Sequence, residues 1–557
     1  MSTRPDARPG TALFRQARDR MLGGQKSYDW PRDTDFNWAV DWFDQVADPE
    51  RLALIVWKQG LAVLATYGEL SSASGRMAHW LRGQGVGPGD RMMVVMRNSV
   101  EFYALSLAMM KLGAVMIPSF TSVSLTELTQ RMGRARVRHL AIDHDLAQRL
   151  QGVDVPGLKL MAGVRPADVV TGWLPISAAE RCDEVLTDPW RGAPDSPLMG
   201  FFTSGTTSQP KLALHSHQSY PIGHLSSLYW QGVQPSDIHA NVSSPGWAKH
   251  AWSSLFVPFS AEATVLTFSE ERPAVQDCLR ALDEQGARSF CAPPSYWRAL
   301  VRHGLGPRPR ALGKAVSAGE SLDAGVIEEV KRAWGLSVRD GYGQTEMTAL
   351  IGFGPGEESL PGAMGRALPG SEALRLVDPH TGHVGEEGEI CLDLAESPIA
   401  LMLGYVDDSG EPGRPQGPYY RTGDLARRDA EGRFHLLGRA DDVFKSYDVR
   451  ISPIELERQL LEHPAVMEVA VFSVLDESGE PVPGAAVVPA DPCHRPGLPE
   501  RLLAWHRTRS APEQCVRSVW TVDELPRTAS GKIHRARLRA TFTHSHPLQS
   551  DTSRNAS

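Results

Sequence analysis

The sequence predicts an α/β architecture, with a large N-terminal domain of layered α/β sheets and a small α+β C-terminal domain. Three observations carry this. First, 557 residues exceed what a single hydrophobic core supports. Second, apolar runs of strand length alternate with stretches of helix length, the pattern of a parallel sheet covered by helices. Third, the texture changes near Leu437. Two alternating segments, 420–425 and 432–437, read as a hairpin, and a compact segment opens at Gly438-Arg-Ala-Asp-Asp442. The expected division is 1–440, 441–545 and a polar, disordered tail 546–557.

In chain order, residues 1–30 read as polar and irregular, and apolar spacing from Trp42 to Trp57 predicts an amphipathic helix. Thr66 opens a further helix that runs through Leu81, and the glycine-rich stretch 85–90 makes a turn. Segment 91–96 reads as a buried strand, 99–112 as a helix and 114–118 as the next strand. Strands recur at 137–142, 197–202 and 263–267, with a helix at 273–285. No short-period repeat is present.

Composition narrows the class. Apolar residues at 41% and charged residues at 22% are those of a soluble globular protein. A net charge of −8, from 58 basic and 66 acidic residues, gives no pull toward nucleic acid or an anionic membrane. Six scattered cysteines without a C-x-x-C pair suit reduced thiols in a cytoplasmic protein. No signal peptide is visible at the N-terminus, and the most apolar stretch, 102–118, is interrupted by Lys111 and too short to span a bilayer.

The chemistry gathers in a few short motifs. Phe201-Phe-Thr-Ser-Gly-Thr-Thr-Ser-Gln-Pro-Lys211 sets five hydroxyl residues around Gly205 directly after an apolar strand. Such a turn offers O–H and N–H donors to an anion, and Lys211 adds a point charge. The spacing is not that of a Walker A loop, so the reading is a polyphosphate cradle of another kind. In Asp340-Gly-Tyr-Gly-Gln-Thr-Glu346, Gly341 and Gly343 allow close backbone approach, and Tyr342 offers a ring to stack on a base. Glu346 is a hard oxygen ligand suited to Mg²⁺, and Thr345 can bond a phosphate. Tyr420-Arg-Thr-Gly-Asp424 supplies a carboxylate with two acceptor oxygens, and Pro526-Arg-Thr-Ala-Ser-Gly-Lys-Ile-His-Arg535 places Lys532 on a glycine-containing loop.

Taken together and in this order, these motifs resemble those of the adenylate-forming superfamily, which includes acyl-CoA synthetases, nonribosomal-peptide adenylation domains and beetle luciferases. The likeness extends from about residue 60 to about residue 540, and it is nearest to acetyl- and medium-chain acyl-CoA synthetases, through the Pro245-Gly-Trp247 turn. It implies ATP, Mg²⁺ and coenzyme A. The phosphate loop would be Thr203, Ser204, Gly205, Thr206, Thr207 and Lys211, and the adenine site would be lined by Gly319, Glu320, Asp340, Gly341, Tyr342 and Gly343. Asp424 would chelate the ribose, Arg439 would bond nucleotide oxygens, and Arg450 would act in one of two domain orientations. The resemblance makes the small domain mobile, with Asp441 as the pivot and Lys445, Ser446, Tyr447 and Asp448 presented to the thiol. Glu346, Thr345, Lys211 and Lys532 carry catalysis, with Glu346 on the metal. Asp442 reads as an ordinary exposed turn residue.

Trp247, His250 and Trp252 fall where the family gates its acyl substrate, and the segment lacks the aspartate with which amino-acid-activating domains hold an α-amine. Some positions depart from the pattern: Ser208 for glycine, Asp448-Val449 for a glycine and an aromatic, Met347 for a small hydroxyl residue, and Arg433 for an aromatic. The implied activity is ATP-dependent ligation of a hydrophobic carboxylic acid to coenzyme A. A carrier-protein thiol, an enzyme of one half-reaction, luciferase-like oxidation, a non-catalytic nucleotide-binding protein and a homodimeric assembly remain open from sequence.

Overall fold

The computed structural model describes residues 9–25, 27–28, 30–31, 34–46, 48–164, 168–203, 210–447, 449–511, 514–527 and 533–542. These residues form two compact units, Met1–Leu374 with Asp393–Tyr420, and Arg375–Leu392 with Arg421–Ser557.

The first unit is built on two nine-stranded sheets. In one, the parallel strands Val338–Gly343, Lys314–Ala318, Ser289–Ala292, Ile238–Asn241, Thr264–Phe268 and Leu52–Lys58 lie side by side, edged by antiparallel Ala349–Gly352 and Leu61–Thr66. In the other, Pro197–Thr203, Val115–Pro118, Arg91–Val95, His139–Asp143 and Lys159–Ala162 run parallel, and Lys211–Ser216 and Gly404–Val406 complete one side in antiparallel pairing. Strand periodicity decides which residues meet: Leu54 and Val56 enter one core cluster, Ile55 and Trp57 another. The first of these clusters joins residues of both sheets to the helices Tyr67–Gly83, Val100–Leu112 and Ser219–Gln231. Helices Val275–Glu284, Pro294–His303 and Ala324–Trp334 cover the far face of the first sheet, and Leu125–Arg134 that of the second.

Local chemistry sets the helix ends. Thr66 Oγ1 accepts from Glu69 N at 3.1 Å while Glu69 Oε2 accepts from Thr66 N at 2.8 Å, a reciprocal cap. Gly113, at φ 68°, ends the next helix in the left-handed conformation that glycine adopts without steric penalty.

Two expectations are corrected. The helix expected from Trp42 to Trp57 is a wide turn of π-helix at Ala39–Phe43, a short helical turn, and then the strand Leu52–Lys58. Asp48-Pro49 breaks the helix, and the run Leu-Ala-Leu-Ile-Val-Trp pairs with Thr264–Phe268 instead. The N-terminal stretch read as irregular holds the helix Pro9–Leu22, which buries Phe14, Ala17 and Met21.

The second unit holds a four-stranded sheet in the order Leu374–Val377, Glu387–Asp393, Tyr419–Arg428, Phe434–Arg439. It also holds a three-stranded sheet, Val466–Leu475, Pro481–Pro489 and Ser518–Thr521, packed with helices Pro453–Leu461, Leu498–Arg507 and Arg535–Phe542. By contacts this unit begins ahead of residue 440, because the predicted hairpin at 420–437 belongs to that four-stranded sheet. Asp442, expected as an exposed turn residue, instead takes Arg539 at 3.0 Å and Arg535 at 3.7 Å, and Arg535 forks onto Glu457 at 2.6 and 2.8 Å. A buried carboxylate such as Glu457 requires this pairing.

Candidate active site

The hydroxyl-rich loop is bracketed by the strands Pro197–Thr203 and Lys211–Ser216, whose register sets Thr203 opposite Lys211. The two ends of the motif therefore meet side by side, and Arg134 donates to the carbonyl of Pro210 at 2.6 Å to hold the second end. Ser204, Gly205, Thr206, Thr207 and Ser208 lie outside the described residues.

Lys211 and Glu346 are brought together by a residue the motifs did not single out. Lys211 Nζ lies 5.1 Å above the ring of Tyr405, and the Tyr405 hydroxyl donates to Glu346 Oε1 at 2.5 Å. The aromatic face attracts the ammonium and the hydroxyl orients the carboxylate, so one side chain spaces a cation and an anion without letting them pair. Glu346 is 9% exposed, and its main-chain carbonyl accepts from Met402 N at 2.9 Å. Thr345 is half-buried, and its carbonyl meets His215 Nε2 at 2.7 Å. Burial holds the His215 imidazole down at about 4, so it is neutral at pH 7 and acts as a positioning residue. Met347, a departure from the family pattern, is fully buried core.

The glycines around Tyr342 serve the packing of tryptophans. A Cβ on Gly341 would overlap the indole of Trp230, whose Nε1 donates to the Asp340 carbonyl at 3.0 Å, and one on Gly343 would overlap Trp252. Tyr342 itself is half-buried. Gly319 turns at φ 111°, and Glu320 is tied to Arg298 at 3.1 Å.

The expected acyl wall narrows to Trp247, which is half-buried and stands edge-on to Phe120 with ring centroids 5.0 Å apart. His250 is core, meeting Asn98 Oδ1 at 2.6 Å, and Trp252 is buried against His224. Their side chains point to the packed face of a helical segment that widens into π-helix at Ala251–Phe256.

In the second unit, Asp424 and Arg439 are partners across adjacent strands, with Arg439 Nη1 at 3.2 Å from Asp424 Oδ1 and 2.9 Å from the Thr422 carbonyl. Arg439 also reaches the half-exposed Asp441 at 3.4 Å. Arg450 pairs with Glu387 at 2.9 Å, Lys445 is exposed and Ser446 is buried. Tyr447, at φ 47°, donates its hydroxyl to Asp476. Asp448 and Lys532 lie outside the described residues.

Comparison with known proteins assigns the chain. The family model for AMP-binding enzymes matches residues 43–406, and that for the C-terminal domain of AMP-binding enzymes matches 455–532. The chain belongs to the AMP-binding enzyme family. Within this family it is an acid–thiol ligase of the acyl-CoA synthetase type. It is 35% identical to 4-hydroxybutyrate–CoA ligase 1 of Metallosphaera sedula over 520 residues, 90% of each chain. It is 34% identical to the mitochondrial acyl-coenzyme A synthetase ACSM5 of Homo sapiens over 86% of this chain and 85% of that one. In fold, this AMP-binding enzyme superposes on the anthranilate CoA ligase AuaEII with a TM-score of 0.80 at 24% identity, covering 92% and 98% of the two chains. No helix among its described residues is long and apolar enough to cross a membrane.

Proposed function

We propose that this chain activates a hydrophobic carboxylic acid as its acyl-adenylate and passes the acyl group to coenzyme A. The observation that supports this best is the Lys211–Tyr405–Glu346 arrangement, a cation and a carboxylate held apart at the end of the phosphate-loop hairpin. The acid's carboxylate oxygen attacks the α-phosphorus of ATP, a P–O bond forms and pyrophosphate leaves. Thr203, Lys211 and the loop between them hold the phosphates, Tyr342 stacks on the adenine, and Asp424 with Arg439 takes the ribose side. Among the described residues no group of three or more His, Cys, Asp or Glu could share a metal ion. The one oxygen ligand at Glu346 fits Mg²⁺, which takes its other ligands from phosphate and water. When bound, Mg²⁺ would be held by Glu346 and would neutralise phosphate charge.

In the second half-reaction the small domain turns about Asp441, Lys532 withdraws and Lys445–Val449 meets the thiol. Thiolate sulfur attacks the acyl carbon and AMP leaves. The thiol is that of coenzyme A rather than of a carrier protein, and six cysteines outside any disulfide suit a cytoplasmic setting. Among the relatives, one is named for 4-hydroxybutyrate, a short acid ending in a hydroxyl.

Acid-dependent ATP–pyrophosphate exchange over aliphatic, aromatic and polycyclic acids, run beside coenzyme A with preformed acyl-adenylate, tests the proposal. Exchange together with acyl-CoA formation supports it. Thioester from the adenylate without exchange would make the chain a half-enzyme, and neither activity would end the ligase reading.

Two variants test the site. Tyr405→Phe keeps the ring beneath Lys211 and removes the hydrogen bond to Glu346, so the exchange rate at low Mg²⁺ is expected to fall about tenfold and to recover as Mg²⁺ is raised. A loss that Mg²⁺ does not repair would detach Tyr405 from the metal site. Trp247→Ala is expected to change the ranking of acids in the exchange assay more than the KM for ATP, and an unchanged ranking returns Trp247 to the core.

A further inference from the structure

Lys249 is built the wrong way round for a surface lysine. Lysine normally lays its methylene stem on the protein and keeps its ammonium in water. Here the residue is half-buried as a whole while its Nζ is shut away from solvent with no hydrogen-bond partner. The nearest ionisable groups it feels are Cys291 and Glu320. Glu320 is already engaged by Arg298 at 3.1 Å, and burial raises the Cys291 thiol, so it stays neutral. Burial also pushes the Lys249 ammonium below the ordinary lysine range.

The position is equally telling. Lys249 follows Trp247 by two residues and directly precedes His250, which is anchored on Asn98. Cys291 lies near the end of the parallel strand Ser289–Ala292, and Glu320 just past the end of Lys314–Ala318. The ammonium therefore lies near the carboxyl ends of parallel strands, where open α/β sheets take their ligands. A second orphan lies on the adjacent strand. Asn241 closes the neighbouring strand in register with Cys291; its Nδ2 donates to Ser254 Oγ at 2.8 Å, and its Oδ1 is buried without a partner. A buried donor and a buried acceptor, each left unmet, cost stability unless a ligand answers them.

We propose that Lys249 reads a hydroxyl on the acyl chain, with Asn241 Oδ1 as the complementary acceptor, so that the preferred substrate is a hydroxy acid. This rests on the ligase reading above and revises its acid from a plainly hydrophobic one to one that carries a hydroxyl. A hydroxyl accepts from the ammonium and donates to the amide oxygen. A methylene does neither, and a second carboxylate satisfies the lysine only. Lys249 acts on specificity and takes no part in the bonds made or broken.

The test compares butanoate and pentanoate with their 3-, 4- and 5-hydroxy derivatives and with butanedioate, in wild type and in Lys249→Met, which keeps the stem and removes the donor. In wild type the best hydroxy acid is expected to exceed its parent in kcat/KM by about 10- to 100-fold, and to exceed the dicarboxylate. In Lys249→Met that ratio is expected to fall to about one, through the hydroxy acid alone, with the parent's kcat unchanged. Equal loss for both acids would make Lys249 structural and overturn the proposal, as would a wild type that ranks parent and hydroxy acids alike or prefers butanedioate. Wild type that turns over plain acids without discrimination leaves the ligase standing and defeats this proposal alone. Wild type inert toward every acid defeats both.

Discussion

Replacing Lys532 with alanine is expected to slow acyl-adenylate formation about 10³-fold, the scale on which a single charge-stabilising donor acts, while thioester formation from a supplied adenylate changes by no more than about threefold. In the first half-reaction negative charge is redistributed between the carboxylate and the α-phosphate, and a lysine that reaches both serves only the transition state. In the second, the leaving group is AMP and the attacking atom is sulfur. The obvious objection is that Lys532 belongs to a generally basic face, with neighbours able to stand in for it. The second unit argues against this. Arg527 is held by Glu468 at 2.9 Å, Arg535 forks onto Glu457, and Arg539 is paired with Asp442. Each of these three cations has a carboxylate partner, which leaves Arg537 as the neighbour without an ion pair among the described residues, so the Lys532→Ala, Arg537→Ala double variant checks that it does not substitute. Pyrophosphate exchange and thioester formation, measured separately on Lys532→Ala, give the answer. Parallel loss of both would remove the case for two domain orientations, and Lys532→Arg should recover little because its planar fork differs from an ammonium point charge.

How much of this was legible in the sequence depends on how far apart the partners lie. The phosphate loop and the adenine motif are short and local, and their brackets stand where the residues put them: Thr203 opposite Lys211, and Asp340–Gly343 at the end of a parallel strand. Tyr405 left no signal. It sits 59 residues from Glu346 in the chain, and only strand pairing between Gly404–Val406 and Lys211–Ser216 brings it there. The same holds for Asp442, whose partners Arg535 and Arg539 are some ninety residues on and turn an apparent surface loop into the anchor of the last helix. The stretch from Trp42 to Trp57 misled because its apolar spacing satisfies a helix, while Pro49 and the tertiary partner Thr264–Phe268 decide for a strand. For Trp247, His250 and Trp252, which of the side chains turn inward is set by packing that no pattern of three residues reveals.

The first unit is expected to unfold cooperatively as pH falls from about 6 to about 4, because among its described residues five imidazoles are buried away from any carboxylate partner and must stay neutral. Burial holds His215 at about 4 and His217, His224, His239 and His250 at about 3. Their partners explain why protonation is resisted. His239 lies between Ser289 Oγ at 2.6 Å and Ser253 Oγ at 2.8 Å, His224 Nδ1 meets the Tyr220 carbonyl at 2.5 Å, and His217 packs on Trp190 with ring centroids 4.5 Å apart. No carboxylate faces these rings in any of those contacts, so an added charge would go uncompensated. The sign follows from the lowered folded values. An unfolded histidine binds its proton near pH 6.5, the folded ones only below 4. The stabilisation is therefore complete above about pH 6.5 and lost as pH falls toward the folded values, at a cost on the order of 3 to 5 kcal/mol for each imidazole. Uptake of about five protons makes the transition steep in pH, steeper than exposed carboxylates alone would give. Tryptophan fluorescence and near-ultraviolet dichroism followed from pH 7.5 to pH 3.5 measure it, and pyrophosphate exchange on samples returned to pH 7.5 separates reversible unfolding from loss. Because His215 positions the Thr345 carbonyl beside Glu346, activity should vanish within the same window as structure. A tertiary signal that stays flat to pH 4 would mean that the rings are hydrated and not buried as packed here.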